Sequence, residues 1–159
     1  MDKVTATYVD RGRRVKLGVF VTGVRPRWSD MDAFGHVNHA NTVTLLEEAR
    51  IDLLFTEAAR HGVPEMAEGM VVARLVVDYL APLTFTGDEV RVELSVRELK
   101  SASFTLDYAV RGDRREDGAV VTRAETLMVP YNLTAGRPRR LLEAERDFLA
   151  GWRAGGNGA

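Results

Sequence analysis

Residues 25–50, which read RPRWSDMDAFGHVNHANTVTLLEEAR, decide the fold. The segment opens as an extended, Pro-interrupted stretch, turns at Gly35, and then becomes helical in pattern. Asn38 and Asn41 both suit the N-cap, because a short side-chain oxygen accepts a hydrogen bond from an amide of the next turn. We therefore expect a helix over 39–60. Its apolar stripe has helical spacing and comprises Val43, Leu46, Ala49, Leu53 and Leu54.

Two carboxylates, Asp30 and Asp32, precede this helix. A helix N-terminus leaves about four backbone amides without internal partners and carries roughly half a positive charge. Such an end suits a carbonyl oxygen that is becoming an oxyanion. Asp32 lies seven residues before His39, and Gly35 lets the intervening loop fold back on itself. A carboxylate as nucleophile or base, together with an amide for the oxygen, is the minimum for attack on an activated acyl carbon.

The block D-x-x-G-H-V-N at residues 32–38, followed by EEAR at 47–50, resembles the 4-hydroxybenzoyl-CoA thioesterase branch of the hotdog-fold superfamily. The wider pattern covers most of residues 15–130. The resemblance implies an α+β hotdog fold, in which an antiparallel β-sheet wraps around a long central α-helix. It also implies a homodimer or homotetramer that hydrolyses acyl-CoA or acyl-carrier-protein thioesters. The pattern of this family further implies that Asp32 is the catalytic carboxylate and that the backbone amide of His39 polarises the carbonyl.

Other residues of this stretch are expected to support the substrate or the loop, namely Gly35, His36, Asn38, Thr42 and Glu48. We expect His36 to hold the loop through hydrogen bonds and Asn38 to cap the helix, with orientation of Asp32 or water as the alternative role. Thr42 stands where the family usually has an aromatic residue, so the resemblance does not imply the shape of the acyl pocket. Asp30 points away from Asp32 in an extended segment, and we expect a loop or solvent contact for it.

The charges around the block have more than one interpretation. Glu47 and Arg50 suit a surface ion pair at i,i+3, and with Glu48 they equally suit a subunit boundary or the pocket. His36 and His39 form an H-x-x-H pattern that ligates metals when helical. Because His36 lies in the turn and no third strong ligand is near in sequence, we expect no metal. We expect no cofactor either, since CoA or phosphopantetheine is part of the substrate. Candidate phosphate contacts are Lys100, 111–115, Arg137, Arg139 and Arg140.

Composition narrows the class of protein. The chain has 159 residues, 45% hydrophobic and 28% charged, which is ordinary for a single globular domain. A net charge of −1 argues against a nucleic-acid partner, and no apolar run is long enough for a membrane span. The absence of cysteine excludes disulfides and a thiolate nucleophile. The first residues lack the apolar core of a signal peptide, so a cytoplasmic location is expected.

Alternation of apolar and polar residues predicts the strands. One helix followed by such segments indicates an α+β fold with a mostly antiparallel sheet, whose first strand pairs with a later one. The first strand is expected to bury Val15, Leu17, Val19 and Val21. Further strands are expected over 70–83, 89–99, 103–110 and 118–129. The organisation is an N-terminal extension (1–14), a hotdog thioesterase-like domain (15–135), and a C-terminal short helix with a flexible tail (136–159).

Three functions remain open at this point. The leading one is acyl thioester hydrolysis, with Asp32 either attacking the carbonyl or deprotonating a water. The second is a hotdog hydratase or dehydratase that acts on an unsaturated acyl thioester. The third is a non-catalytic acyl-thioester-binding protein. A sheet with one helix on one face leaves an edge to cover, so we expect at least a dimer with the site where subunits meet.

Overall fold

The structure, a computed structural model, is an antiparallel sheet curled around one long helix. It describes residues 7–10, 13–16, 18–115 and 117–154. The predicted flexible tail at 155–159 lies outside the described residues. Near the N-terminus, β1 (Thr7–Asp10) and β2 (Arg13–Lys16) pair as a two-stranded hairpin.

The main sheet confirms the predicted α+β class. Its strands follow the order β3-β5-β6-β7-β4, every neighbouring pair is antiparallel, and a short β8 pairs with β7. The first strand of the sheet therefore pairs with a strand that comes much later in the chain, as predicted. The strand bounds are β3 Phe20–Val24, β4 Met70–Tyr79, β5 Val90–Leu99, β6 Phe104–Arg111, β7 Val120–Asn132 and β8 Arg137–Pro138.

The long helix spans 39–60, as its sequence pattern predicts. It is α-helical over His39–Ile51, π-helical over Asp52–Glu57, and ends with a turn at Ala58–Arg60. A 3-10 turn at Pro64–Ala67 then leads to β4. The helix buries one face against the inner side of the sheet, and this contact forms the core. Fully buried members are Leu45, Leu46, Ala49, Leu53 and Leu54 from the helix and Val92, Leu94, Val96 and Leu106 from the sheet.

The prediction for the first strand is wrong for Val19 and Val21, which are only half-buried, while the side chains of Val15 and Leu17 lie outside the described residues. The strand β3 begins at Phe20 and buries Phe20, Thr22 and Val24. Gly18 precedes β3 with a φ of +85°, and a Cβ at this position would clash with the carbonyl oxygen of Arg153. Because side chains alternate along a strand, an offset of one residue reverses which set is buried.

One edge of the sheet remains uncovered by the helix. Thr22 of β3 donates a 2.6 Å hydrogen bond to Asp52, which fixes this face of the helix over the β3 side. At the other edge, three side chains of β4 pair with inner positions of β7 and so face the helix side, yet none is buried. We call these three side chains the open flank: Leu75, Val77 and Tyr79.

The C-terminal helix, Glu143–Ala150, is fixed by a buried carboxylate. Glu145 has no exposed surface and accepts hydrogen bonds from both terminal nitrogens of Arg139, at 2.8 and 2.6 Å, and from the amide of Leu142 at 2.7 Å. The hydrogen bond to Glu145 raises the pKa of Arg139. Arg139 therefore anchors this helix and is not available as the phosphate contact that the sequence suggested.

Replacing Glu145 by Ala is expected to lower the free energy of unfolding by about 2–3 kcal/mol, since it leaves a largely buried guanidinium without its partner. Urea unfolding followed by circular dichroism measures this loss. The matched control is Glu143→Ala, an exposed carboxylate on the same helix, which should change stability by less than about 0.5 kcal/mol. Equal unfolding midpoints for the two variants would show that the buried pair does not stabilise the helix.

Candidate active site

Asp32 closes a tight loop between the 3-10 turn Trp28–Asp30 and the long helix. Its Oδ1 accepts hydrogen bonds from the backbone amides of Phe34 at 2.8 Å and His36 at 3.2 Å. Its own amide donates to the carbonyl of His36 at 2.8 Å, and Gly35 provides the turn with a φ of +76°. One carboxylate oxygen thus holds the loop, while Oδ2 has no hydrogen-bond partner among the described residues.

The start of the long helix presents an amide without an acceptor. Asn38 is the N-cap: its side-chain oxygen accepts from the amide of Ala40 at 2.9 Å, and its carbonyl accepts from the amide of Thr42 at 3.0 Å. The N–H of His39, the first helical residue, has no intrahelical acceptor. No other group in the described part of the chain accepts from it. This N–H is therefore an unused hydrogen-bond donor at the positive end of the helix.

Asp32 and His39 border one cavity of about 360 Å³. His36, Val37 and Thr42 line it from the same loop and helix start, and it is completed by Thr122 and by residues 79–83. Four of the residues singled out in the sequence thus meet here: Asp32, His36, His39 and Thr42.

The remaining predicted support residues lie outside the cavity wall. Gly35 is exposed in the turn, and Asn38 caps the helix without lining the cavity. Glu48 is exposed on the helix and does not line the cavity within one chain. The proposed ion pair between Glu47 and Arg50 is absent, because Arg50 donates instead to the hydroxyl of Tyr108 at 3.3 Å.

The end of β4 holds the helix start in place, and sequence reasoning missed this contact. The hydroxyl of Tyr79 donates to the carbonyl of His39 at 2.5 Å, and the two rings meet edge to face at 6.3 Å. Burial raises the pKa of Tyr79. The amide of Val37 also donates to the carbonyl of Leu83 at 2.7 Å. The only signal in the sequence is the inward position of Tyr79 in its strand, which names no partner.

Asp30 is a buried loop anchor. Its carboxylate accepts from the backbone amide of Arg27 at 2.7 Å and pairs with the guanidinium of the same residue at 3.3 Å. Its carbonyl accepts from the amide of Asn38 at 2.8 Å and from the side chain of Asn41 at 3.2 Å. Asp30 therefore makes the expected loop contact, although it is buried rather than solvated.

Comparison with known proteins decides the family, because residues 26–150 match the family model described as the thioesterase-like superfamily. The chain belongs to the thioesterase-like superfamily. The resemblance to 4-hydroxybenzoyl-CoA thioesterase-like proteins and the hotdog fold are thereby confirmed. No curated protein matches the chain in sequence.

Solved structures of thioesterases are similar over most of their length. A Thermus thermophilus thioesterase complexed with coenzyme A and Zn is 31% identical with a TM-score of 0.67, and the match covers 86% of this chain and 95% of that one. A predicted thioesterase from Bacillus stearothermophilus is 26% identical with a TM-score of 0.68, covering 86% and 99%. A 1,4-dihydroxy-2-naphthoyl-CoA thioesterase from Synechocystis, at 18% identity and TM-score 0.65 over 83% and 96%, shares the fold. Thioester hydrolysis is the general activity that this membership supports.

Within the described ranges, no group of three His, Asp or Glu side chains is placed to hold a metal ion. No described helix is both long and apolar enough to cross a bilayer.

Three of the basic residues suggested as phosphate contacts lie toward opposite ends of the sheet. Arg114 and Arg115 lie in the hairpin that follows β6, at the end of the sheet that holds Thr122, and both form ion pairs with nearby carboxylates. Arg137 is in β8, which pairs with the far end of β7, ten residues beyond Thr122. At about 3.3 Å per residue this is roughly 33 Å from the cavity. Arg137 is thus remote from the cavity of its own chain.

Replacing Asn38 by Ala in this thioesterase-like protein is expected to lower the free energy of unfolding by about 1 kcal/mol, because the amide of Ala40 loses its cap. Asn38→Ser keeps an oxygen at the N-cap and should recover most of that loss. Chemical unfolding of the three proteins checks this. An Asn38→Ala protein as stable as the wild type would show that the cap does not hold the helix start.

Proposed function

We propose that this protein hydrolyses acyl-CoA or acyl-carrier-protein thioesters, with the acyl carbonyl bound at the His39 amide and Asp32 as nucleophile or general base. The observation that carries the proposal is that Asp32 and His39, whose N–H has no acceptor among the described residues, line one cavity. Both groups are fixed by the backbone contacts of a short loop, which suits a site that must be organised before the substrate arrives.

The His39 amide supplies the electrophilic half of the reaction. In the bound thioester, the carbonyl oxygen accepts a hydrogen bond from this N–H at the positive end of the helix. Negative charge grows on that oxygen as the carbonyl carbon becomes tetrahedral, so the interaction is stronger in the transition state than in the bound substrate. An oxyanion donor of this type contributes about 10²–10³ in rate.

Asp32 supplies the nucleophilic half. In one route its free oxygen attacks the carbonyl carbon, the thiolate leaves, and water hydrolyses the resulting mixed anhydride. In the other route the carboxylate takes a proton from a water molecule that attacks the carbon directly. Both routes use the oxygen that the loop amides leave free, and both end in a free acid and a free thiol.

A CoA thioester is supported by the Thermus thermophilus thioesterase, which is 31% identical to this chain and was solved with coenzyme A. A carrier protein delivers the same phosphopantetheine thioester, so the chemistry at Asp32 and His39 does not depend on the carrier. CoA thioesters are therefore suitable substrates for every assay below.

A hydratase is the second candidate, because two imidazoles, those of His36 and His39, belong to residues that border the same cavity as Asp32. An acid and a base at the α- and β-carbons of an unsaturated acyl group would add water across the double bond. Crotonyl-CoA separates the two reactions, since hydrolysis releases free thiol and hydration yields a 3-hydroxyacyl-CoA.

The open flank supports self-association. Tyr79 is 48% exposed and Leu75 38% exposed, although both face the helix side of the sheet. They lie on an edge strand whose backbone groups can pair with another strand. A second copy that covers this flank would also border the cavity, because Tyr79 belongs to both. We propose a homodimer or homotetramer in which the substrate binds where two subunits meet.

The Asp32→Asn variant is expected to lose turnover and keep its fold. The amide oxygen of Asn can still accept the two loop hydrogen bonds, but it neither attacks a carbonyl nor takes a proton. Thiol release from short, long and aromatic acyl-CoAs should fall by about 10²–10⁴-fold. The control is Asp78→Asn, an exposed carboxylate on the outer side of β4. Undiminished hydrolysis by Asp32→Asn across the panel would rule out the proposed role.

Sedimentation of the wild-type protein at micromolar concentration should show a dimer or tetramer. Leu75→Lys places a charge on the open flank and should shift the distribution toward monomer while lowering thiol release. Leu133→Lys changes a more exposed leucine in the turn after β7 and should leave both unchanged. A monomeric wild type with full thiol release would contradict the shared site.

A further inference from the structure

The peptide unit between Asn38 and His39 is hydrogen-bonded on one side only. Its carbonyl oxygen, that of Asn38, accepts from the backbone amide of Thr42 at 3.0 Å and from the hydroxyl of Thr42 at 3.3 Å. Its N–H, that of His39, has no acceptor among the described residues. Two donors therefore meet at the oxygen of this peptide unit, while its own donor is left for a ligand.

The next peptide unit, between His39 and Ala40, is bonded on both sides. The carbonyl of His39 accepts from the hydroxyl of Tyr79 at 2.5 Å, and the amide of Ala40 donates to the side-chain oxygen of Asn38 at 2.9 Å. Of these two peptide units, only the one between Asn38 and His39 combines a doubly bonded carbonyl with an unused donor.

The side chain of Thr42 is held beside this peptide unit. Thr42 is 2% exposed and lines the same cavity as His39. A threonine in a helix often returns its hydroxyl to the carbonyl four residues earlier, which by itself is a local structural contact. Here the carbonyl that accepts belongs to the peptide unit whose N–H is unused. Because Thr42 is buried, little water competes for the hydroxyl, and its hydrogen bond acts in a medium of low dielectric constant.

A donor at the carbonyl oxygen changes the strength of the N–H in the same peptide unit. Resonance spreads electron density over the oxygen, carbon and nitrogen of the peptide. A hydrogen bond at the oxygen draws density from the nitrogen and leaves the N–H hydrogen more positive. Hydrogen bonds in such a chain strengthen one another by about 10–30% per bond. The gain is larger when the acceptor of the N–H becomes negatively charged, as a carbonyl oxygen does in the transition state.

We propose that Thr42 is a positioning residue for thioester hydrolysis, whose hydroxyl polarises the peptide unit between Asn38 and His39 and so strengthens the His39 amide as a donor to the acyl carbonyl. This inference rests on the proposed function and adds to it a residue that acts through the main chain. Thr42 performs this role without contact with the reacting atoms.

The variant Thr42→Val tests the role of the hydroxyl, because valine has nearly the same shape and keeps the backbone amide bond to Asn38. An oxyanion donor contributes about 10²–10³ in rate, and a change of about 10–30% in its strength corresponds to about 2- to 8-fold. We expect kcat to fall by this factor with little change in KM, since the loss concerns the transition state. Thr42→Ser restores a hydroxyl and should recover most of the kcat. Thiol release from the best acyl-CoA substrate of the wild type measures both constants.

The matched control is Thr44→Val, the same exchange at a half-buried position of the same helix that does not line the cavity. It should keep the wild-type kcat and KM. A Thr42→Val protein with the wild-type kcat overturns the inference. If its KM alone rises, Thr42 only shapes the acyl pocket, and if its unfolding midpoint alone falls, the hydroxyl only stabilises the helix. A Thr42→Ser protein as slow as Thr42→Val contradicts the inference as well, because the methyl group would then be what matters.

Infrared spectroscopy separates failure of this inference from failure of the proposed hydrolysis. The probe is an acyl-CoA ketone with a ¹³C-labelled carbonyl, in which a methylene group replaces the sulfur, so that no turnover is needed. A stronger hydrogen bond lowers the stretching frequency of the bound carbonyl, so the band should lie at higher frequency in Thr42→Val than in the wild type and Thr42→Ser. This difference without hydrolysis of any thioester by the wild type would contradict the proposed function and support the role of Thr42. Hydrolysis by the wild type with the same band in all three proteins would do the reverse.

Discussion

The candidate site depends on one feature of the helix start, the backbone N–H of His39, which has no acceptor among the described residues. A helix always begins with amides that lack internal acceptors, and this chain satisfies the next one, that of Ala40, with the Asn38 side chain. Tyr79 holds the carbonyl of His39 from the sheet edge, so the first turn is fixed from both sides. The loop that carries Asp32 is closed by its own backbone amides. The proposed catalytic groups are thus positioned by contacts with the main chain, which a substrate need not reorganise.

The position of the helix across the sheet determines what surrounds the His39 amide. Because Asp52 fixes the helix over the β3 side, the β4 side of the inner face stays uncovered. The same displacement leaves the open flank exposed, and this is the surface on which we propose that a second copy binds. The packing of the helix on the sheet therefore determines which surface is free for a subunit contact.

The parts of the fold with regular local patterns were predictable from the sequence. The 39–60 helix follows from its apolar spacing, and β5 and β6 follow from alternation, because both signals involve near neighbours in the chain. The inward face of β3 was mispredicted, and the close approach of Gly18 to Arg153 just before this strand involves residues far apart in the sequence. For the site, the block from Asp32 to Asn38 marks the loop and the helix start. The contact between Tyr79 and His39 joins residues 40 positions apart, and the contact between Arg50 and Tyr108 joins residues 58 positions apart. No local pattern in the sequence encodes such pairs.

The most direct measurement of the central claim is a crystal structure with a non-hydrolysable acyl-CoA ketone, in which a methylene replaces the thioester sulfur. We expect the ketone oxygen to lie about 3 Å from the His39 amide nitrogen. An Asp32 carboxylate oxygen should lie about 3–3.5 Å from the carbonyl carbon, or one water molecule away from it. A ketone bound in the cavity with its oxygen directed away from His39, and with no Asp32 oxygen or bridging water near its carbon, would contradict it.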